Sequence, residues 1–425
     1  MIPSDLLFRS SWVPWRVARR METWAEGPLR RRAPALYRGL HCGRFQNLVQ
    51  PVTSGPLHHF FGYYDKSPWN LSGDKLLALE VPFDDRPPTA RDQAVVGCLL
   101  LHEGNRFQAL GESLAWNWQQ GCMLQWHPAD PDTWICHNHR EGGKFVGLIR
   151  NLKGTVEARF DRPFYAMHPD GMGAISLNFS RLHRLRPGYG YAGVEDPWAE
   201  DPLPDGDGLW WMDLQKGSSE LILSVKEVAR VEPRMYPPDV PHWVNHVQFS
   251  PRGTRFAFLH RWVHPRRGWA TRLMVAEADG TRLRPIITTG VVSHYDWKDE
   301  DRLLAWAMGA EGRPAFHLYN VESGESRVVG GHVMQEDGHC NFSPNGRWIL
   351  NDTYPDPYGM RTLYLYDLHG KRRINLDRFL SPARYRGEIR CDLHPRWKRD
   401  GTAVCIDSTH TGSRQMYVVN LHPIL

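Results

Sequence analysis

Short apolar runs separated by tight-turn sequences recur along most of the chain, and this pattern predicts β-strands. The stretch that ends at Leu350 shows it clearly, because Phe342 precedes Ser-Pro-Asn-Gly and a short branched apolar segment follows the turn. Pro presets φ for a turn, Asn-Gly tolerates positive φ, and the flanking segments have the length and composition of strands. The pattern therefore predicts a strand, a tight turn and a second strand.

The same arrangement occurs seven times, each time with an aromatic residue or Met just before the turn. These residues are Trp69, Trp126, Met167, Phe249, Trp297, Phe342 and Trp397. They recur at intervals of roughly 40–60 residues, a spacing typical of propeller blades. One interval is about twice as long, and we assign residues 181–207, rich in Gly, Pro and basic residues, to an insertion in unit three. The sequence predicts an all-β, seven-bladed β-propeller with four-stranded antiparallel blades.

Two segments are expected within the chain, a propeller over residues 45–425 and a basic, aromatic N-terminal extension over residues 1–44. Residues 46–52 are predicted to supply the outer strand of the last blade, which leaves no open sheet edge. The extension alternates Arg with Trp, which fits either a strap packed on the propeller or a segment that contacts a membrane surface or a partner. Pro14, Pro28 and Pro34 argue against one long helix.

Composition narrows the class of protein further. The 425 residues include 52 basic and 47 acidic ones, a net charge of +5, and no nucleic-acid-binding motif, so nucleic acid is not an expected partner. The seven cysteines form no CxxC pair, which indicates neither a disulfide framework nor a zinc ribbon. No apolar run reaches the roughly 20 residues of a transmembrane helix, and charges interrupt any signal sequence. We expect a cytoplasmic protein.

In a propeller, the starts of the inner strands and the ends of the second strands meet on one face, here called the top face. Second strands of this chain end in His, Tyr, Arg and Asn, whereas the opposite turns carry ordinary turn residues. This contrast predicts a ligand face, although loops are polar in any protein. The predicted substrate-binding residues are His137, Arg140, Tyr189, Tyr191, Arg261 and His410.

A second pattern lies at the starts of the inner strands. The residue three places before the aromatic residue is a histidine in four successive units, namely His246, His294, His339 and His394. Inner strands line the central channel, so we expect the four imidazoles to face a common space. Neutral imidazole binds zinc or manganese, which makes a divalent metal the first interpretation. There are two alternatives. In one, the four histidines form a ring that binds an anion directly. In the other, they are core histidines, each with its own hydrogen-bond partners.

Several motifs resemble the seven-bladed propeller polysaccharide lyases, meaning the ulvan lyases and, more distantly, the oligogalacturonate lyases. The motifs are Gly121-Cys122-Met123-Leu124-Gln125-Trp126, Asn178-Phe179-Ser180-Arg181, Arg186-Pro187-Gly188-Tyr189-Gly190-Tyr191, Asn351-Asp352-Thr353-Tyr354-Pro355-Asp356 and Asp407-Ser408-Thr409-His410. The resemblance implies cleavage of a glycan next to a uronic acid by β-elimination, with an acidic oligosaccharide or polysaccharide as partner. That chemistry needs a group that neutralises the carboxylate, a base for the C5 proton and an acid for the leaving oxygen.

The resemblance also implies catalytic roles for particular residues. Tyr165 and Arg181 have the spacing of the Tyr and Arg pair of the ulvan lyases, so we expect Tyr165 as the acid, or as both acid and base, and Arg181 as the carboxylate neutraliser. His139 is the expected base, with His137 as the alternate. Two other functions stay open. One is a glycoside hydrolase on uronate-linked sugars, and the other is a non-catalytic propeller that binds glycan or protein.

Overall fold

A computed structural model of the chain describes residues 48–231, 237–309 and 311–424. The regular secondary structure of these residues is almost entirely short strands, joined by tight turns and loops. In chain order the strands are β1 (Val49–Pro51), β2 (His58–Phe60), β3 (Lys75–Val81), β4 (Ala94–Leu100), β5 (Arg106–Ser113), β6 (Gln125–Trp126), β7 (Trp134–Glu141), β8 (Lys144–Asn151), β9 (Val156–Phe160), β10 (Ala166–Met167), β11 (Gly173–Ser176), β12 (Gly208–Asp213), β13 (Ser218–Ser224), β14 (His242–Phe249), β15 (Arg255–His264), β16 (Gly268–Glu277), β17 (Arg284–Ile287), β18 (Val292–Trp297), β19 (Arg302–Met308), β20 (Pro314–Asn320), β21 (Ser326–Val328), β22 (Asn341–Phe342), β23 (Trp348–Asn351), β24 (Met360–Asp367), β25 (Arg372–Leu380), β26 (Arg396–Trp397), β27 (Ala403–Ser408) and β28 (Gln415–Asn420).

The strands form seven four-stranded antiparallel sheets, which are the blades of a propeller. Blades 1 to 6 take four consecutive strands each, from β2–β5 in blade 1 to β22–β25 in blade 6. Blade 7 consists of β26, β27, β28 and β1, in that order from the axis outward. The predicted fold class, a seven-bladed β-propeller with four-stranded antiparallel blades, is confirmed.

Blade 7 closes the ring with strands from both ends of the described chain. Strand β1 pairs antiparallel with β28, with Val49 opposite Val419 and Pro51 opposite Tyr417, as expected for residues 46–52. The Val52 N–H donates to the Met416 carbonyl at 3.0 Å and continues the pairing beyond β1. Residues 1–44 lie outside the described residues, so both interpretations of the N-terminal extension stay predictions.

The apolar core lies between neighbouring blades. For example, Leu350 and Leu363 of blade 6 pack in one cluster with Val404 and Ile406 of blade 7, and all four side chains are fully buried. This arrangement follows from the strand pattern, because each blade is apolar on both faces and has a neighbour on each side. The polar residues lie mainly in the turns and around the axis.

A short helix follows the second strand of blade 3, at the start of the insertion. Strand β11 ends at Ser176, and helix α1 (Phe179–Leu185) follows because the Asn178 side chain accepts a hydrogen bond from Arg181 N–H as an N-cap. The chain then folds back on α1 at Gly190, where a Cβ would lie only 2.1 Å from His183 N. The close packing at this glycine holds the flanking tyrosines against the top face.

A second short helix, α2 (Val225–Arg230), follows β13. Among the described residues, no helix is both long and apolar enough to cross a membrane.

The bond that closes the ring can be tested at Val52. Val52→Pro removes the N–H that donates to Met416, so we expect it to lower the free energy of unfolding by about 1–3 kcal/mol beyond any loss of side-chain volume. Denaturant unfolding of Val52→Pro and of the control Val52→Ala, which keeps the N–H, measures the difference. Equal unfolding free energies for the two variants would mean that this bond does not contribute to closure.

Candidate functional site

Four histidines from successive blades gather at the end of the channel where the inner strands begin. Ring centroids of His294 and His339 lie 4.1 Å apart, and those of His339 and His394 lie 4.3 Å apart. His246 stacks on Tyr63 at 5.0 Å, and the same Tyr63 ring lies 4.9 Å from His394. The structure therefore brings together the four residues that the repeat placed at equivalent positions.

His339 is oriented by a carboxylate. Its Nδ1 lies 2.9 and 3.1 Å from the two Asp352 oxygens, and its backbone N–H donates to the same carboxylate at 2.8 Å. Burial alone would raise the pKa of Asp352, but the contacts with His339 outweigh it and hold that pKa below its usual range. The buried Nε2 of His339 has no hydrogen-bond partner. A histidine held in this way presents the lone pair of its other nitrogen, as metal-binding histidines do.

A second carboxylate, Asp392, completes a group of possible metal ligands. Its Oδ2 lies 2.7 Å from Arg390 Nε, and its Oδ1 lies 2.8 Å from Arg361 Nη1. Burial alone would raise the pKa of Asp392, but the two guanidiniums outweigh it and hold that pKa well below its usual range. One ligand atom from each of His339, Asp392 and His394 lies within 4.8 Å of the other two.

This group fits a divalent cation. The Nε2 atoms of His339 and His394 are both buried without a hydrogen-bond partner, although His394 Nε2 lies 3.9 Å from Asp392 Oδ2. Two imidazole nitrogens and a carboxylate oxygen form a donor set that suits zinc or manganese. The sequence had indicated the histidines but not Asp392, which stands two residues before His394 in the same inner-strand approach.

His246 has an unusual backbone conformation. Its φ is +54°, in the left-handed region, and the register of β14 against β15 shifts between Asn245 and Gln248. This conformation costs about 1–2 kcal/mol for a residue other than Gly, and such strain persists where the surrounding structure enforces it. Burial and the nearby Arg261 lower the pKa of His246 well below its usual value, so the imidazole is neutral. His394, at the equivalent position of blade 7, is also left-handed, with φ of +42°.

Two tyrosines that sequence reasoning missed lie among these histidines. The ring of Tyr63 contacts His246, His339 and His394, while Tyr64 lies 5.3 Å from His339. The Tyr63 hydroxyl is buried without a hydrogen-bond partner, and burial raises its pKa well above the usual value. Neither tyrosine stands at the repeated position, three places before Trp69, so the repeat did not indicate them.

The side of the site next to His246 is basic. Arg186 lies over the ring of Tyr189 at 4.7 Å, and Tyr189 lies 5.5 Å from His246. Burial and the neighbouring Arg186 lower the pKa of Arg261 to about 10. The Nε atoms of both arginines are buried without a partner, and neither guanidinium forms an ion pair within the described ranges. Buried cations without a carboxylate favour an anionic ligand.

Tyr165, the expected acid, lies beneath this site. Its side chain is fully buried, and its hydroxyl accepts hydrogen bonds from the His246 N–H at 2.8 Å and from Gln120 Nε2 at 3.1 Å. The hydroxyl therefore faces the backbone of His246 and not the open end of the channel. The strand start places Tyr165 near the axis, as expected, but on the inner side of the left-handed turn.

The structure also directs Arg181 and His139 away from the cluster of histidines. Arg181 is 1% exposed because it lies in α1, where its guanidinium donates to the backbone carbonyls of His242, Trp198, Asp201 and Pro202. Its Nη1 also lies 3.5 Å from Asp196 Oδ2, so the guanidinium anchors the insertion and faces protein groups instead of a substrate carboxylate. His139 is part-buried and accepts a hydrogen bond from Leu114 N–H at 3.3 Å, beside the end of β5.

Two further residues predicted to bind substrate, His137 and Arg140 of blade 2, have structural partners. Arg150 Nε donates to His137 Nε2 at 2.9 Å, and burial lowers the pKa of His137 to about 3. Arg140 Nη2 donates to the Ala90 carbonyl at 2.5 Å and ties the β3–β4 loop to the top face. Alternation along β7 directs successive side chains to opposite faces of the blade, which the sequence pattern alone did not resolve.

Of the remaining predicted residues, Tyr189 and Arg261 lie in the site, whereas Tyr191 and His410 lie beside it. Tyr191 stacks on Phe179 of α1 at 4.3 Å, and its hydroxyl accepts a hydrogen bond from Asn138. The ring of His410 packs 4.4 Å from that of Tyr417 in blade 7. The structure places all of these residues without showing what any of them binds, so the catalytic, substrate and metal assignments stay predictions.

Comparison with solved structures supports the fold. No protein-family model matches the sequence, and no curated protein matches it significantly. Among solved structures, the oligogalacturonate lyase of Vibrio parahaemolyticus is similar with a TM-score of 0.62 and 15% identity over 90% of this chain and 96% of that chain. An oligogalacturonate lyase in complex with manganese has the same TM-score and identity, over 89% of this chain and 95% of that chain.

A prolyl endopeptidase structure is also similar, with a TM-score of 0.51 and 11% identity over 86% of this chain and 48% of that chain. At such identities the likeness shows a shared β-propeller fold. It does not show a shared activity, which has to be argued from the site.

Below the histidines the channel holds an acid, Asp296, whose pKa burial raises to about 7. Its carboxylate accepts hydrogen bonds from Gln248 Nε2 and from the Phe342 N–H, both at 2.8 Å. No basic side chain is among these partners. A carboxyl whose pKa is higher in the folded protein than in the unfolded chain binds more protons when folded, so it makes the fold less stable as the pH rises.

We therefore expect Asp296→Asn to raise the melting temperature relative to the parent above pH 7, and the difference to shrink as the pH falls towards 4. The variant keeps both hydrogen bonds if the side-chain amide of Gln248 flips. The Oε1 atom of Gln248 has no partner in the parent, so after the flip it can accept from the side-chain N–H of the introduced asparagine. Melting curves from pH 4 to 8 measure this, with the exposed Asp239→Asn as the control. A difference that does not change with pH would contradict it.

Proposed function

We propose that this protein is a lyase that cleaves a uronic-acid-containing oligosaccharide or polysaccharide by β-elimination, with the help of a divalent metal. The observation that carries the proposal is the meeting of a metal-suited group, His339, Asp392 and His394, with a neutral histidine and a protonated tyrosine at one end of the channel. The similarity to oligogalacturonate lyases, one of them in complex with manganese, supports it at the level of the fold.

Three residues would hold the metal, His339 and His394 through Nε2 and Asp392 through a carboxylate oxygen. Asp352 fixes His339 for this role, while Arg390 and Arg361 keep Asp392 ionised. When bound, a divalent cation would neutralise the uronate carboxylate next to C5 and so make the C5 proton more acidic. Manganese and zinc both suit these ligands.

The proton transfers fall to the stacked pair of His246 and Tyr63. Because His246 is neutral, its imidazole can accept the C5 proton, and the electron pair of the C–H bond then forms the C4–C5 double bond. The O4–C4 bond breaks, and Tyr63, which keeps its proton, can protonate the leaving oxygen. His294, whose Nδ1 is 3.0 Å from Asp337 Oδ1, is a second imidazole within the same cluster.

Arg186 and Arg261 make the opposite side of the site suitable for acidic sugars. Neither guanidinium forms an ion pair in the part of the chain that the structure describes, although Glu388 lies near enough to Arg186 to interact with it, so a bound uronate would supply a carboxylate partner. Tyr189 lies between this pair and Arg390, whose Nη2 donates to the Tyr189 hydroxyl at 2.7 Å. These contacts favour an anionic ligand over a neutral glycan.

The site offers little support for hydrolysis. A glycoside hydrolase needs two carboxyl groups that flank the bond and are free to act. Here Asp337 is bound to His294, Asp352 to His339, and Asp392 to two arginines. The remaining alternative is a propeller that binds acidic glycans without cleaving them, and the activity assay distinguishes it from a lyase.

The activity can be tested with a panel of uronate-containing substrates that includes oligogalacturonate and ulvan. We expect an unsaturated product that absorbs in the ultraviolet, and we expect Tyr63→Phe to lower kcat by about 10²-fold or more because it removes the acid. The fold should persist, since the hydroxyl has no hydrogen-bond partner to lose.

Tyr319→Phe, on the third strand of blade 5, is the matched control and should keep the parental kcat. New reducing ends without the chromophore would indicate a hydrolase, and binding without either product would indicate a non-catalytic propeller. A Tyr63→Phe variant with the parental rate would remove Tyr63 from the mechanism.

The metal group makes a separate prediction. We expect the protein to bind one equivalent of manganese or zinc in calorimetry, and His394→Ala to abolish this binding. Asp352→Asn should weaken it by about 10–100-fold, because the amide lacks the negative charge and one of the two acceptor oxygens that hold His339. His410→Ala, which alters an imidazole outside the group, should leave the affinity unchanged. Equal metal affinity in His394→Ala and the parent would rule the group out.

A further inference from the structure

Two tyrosine hydroxyls hold the backbone of the left-handed His246 from both sides. The His246 N–H donates to the Tyr165 hydroxyl at 2.8 Å, and the Tyr295 hydroxyl donates to the His246 carbonyl. Tyr165 comes from the inner edge of blade 3 and Tyr295 from β18 of blade 5, so the two flank blade 4. Their side chains are 0% and 2% exposed, and both hydroxyls are therefore directed at protein groups.

We propose that Tyr165 and Tyr295 are positioning residues that hold His246 in its left-handed conformation and thereby keep its imidazole stacked on Tyr63. The inference rests on the proposed function, in which His246 is the base. An extra residue in a bulge leaves the regular ladder, so its N–H and carbonyl need other partners when they are buried. A phenol on each side supplies one acceptor and one donor.

The hydrogen bonds that hold His246 are themselves linked to a third tyrosine across the channel. The Tyr64 hydroxyl donates to the Tyr295 carbonyl at 2.9 Å and lies 3.0 Å from the Tyr295 N–H. Tyr64 lies between β2 and β3 of blade 1, on the far side of the axis from blade 4. The conformation of His246 is thus tied to blades 1, 3 and 5, which explains how a strained residue keeps one position.

A comparison within the ring shows that the left-handed turn alone does not require tyrosines. Met123, at the equivalent place in blade 2, has the same φ of +54°, and its N–H bonds to the Gln120 carbonyl of its own loop at 3.3 Å. At His246 the partners come instead from neighbouring blades. This difference fits a role in which the side chain of His246 is held in one orientation, whereas that of Met123 only has to fit its surroundings.

The test uses Tyr165→Phe, Tyr295→Phe and the double variant in the full chain. We expect each single change to lower kcat by about 10²-fold through misplacement of the imidazole, with KM and manganese content close to those of the parent. Since both hydroxyls act on one residue, the double variant should be little slower than the slower single variant. Tyr364→Phe is the matched control, because it removes a buried hydroxyl that bonds to Asn351 instead.

A Tyr295→Phe variant with parental kcat would overturn the inference, as would multiplying losses in the double variant, which would indicate that Tyr165 acts separately as an acid. If either single variant does not fold, the other carries the same comparison with the parent. If the parent cleaves no substrate, the proposed function fails, and crystal structures of the variants decide this inference independently. Retention of φ near +54° at His246 with the imidazole still on Tyr63 in the variants would overturn it.

Discussion

Burial of ionisable side chains around the axis is the constraint on which the site depends. The starts of seven inner strands converge there, and a charge moved out of water is tolerated only when it has a partner. Asp352 faces His339, and Asp392 faces Arg390 and Arg361. All of these side chains are almost fully shielded from solvent except that of Arg390, which is 19% exposed. The pairing keeps the carboxylates ionised. The Nε2 atoms of His339 and His394 have no hydrogen-bond partner, and they supply the nitrogen ligands of the metal-suited group.

The same constraint divides the site into two unlike sides. The side at blades 6 and 7 has carboxylates that offset its cations, whereas the side formed by Arg186 and Arg261 has excess positive charge. Tyr63 lies between them and touches His246 and His394. A ligand that satisfies both sides must carry negative charge and still reach the imidazoles, and a uronate next to its glycosidic bond has this form.

The repeat in the sequence was sufficient to predict the number of blades, the closure of the ring by β1, and the gathering of four histidines. It predicted these because strand-turn-strand units follow local chemistry, and because equivalent residues of equivalent blades must meet at the axis. It could not find Tyr63 or Asp392, since neither stands at the repeated position. Arg181 and Tyr165 were placed near the axis, but a helix cap and a left-handed turn decided where their polar atoms point.

Local sequence thus determined the strands, the turns and the ring of histidines, because these depend on residues close together in the chain. Only the tertiary structure decided which side chain faces which. One partner of Asp392, Arg361, comes from β24 of blade 6, and those of His246 come from blades 3 and 5. Such contacts depend on burial and on how blades pack side by side, and no spacing along a single chain encodes them directly.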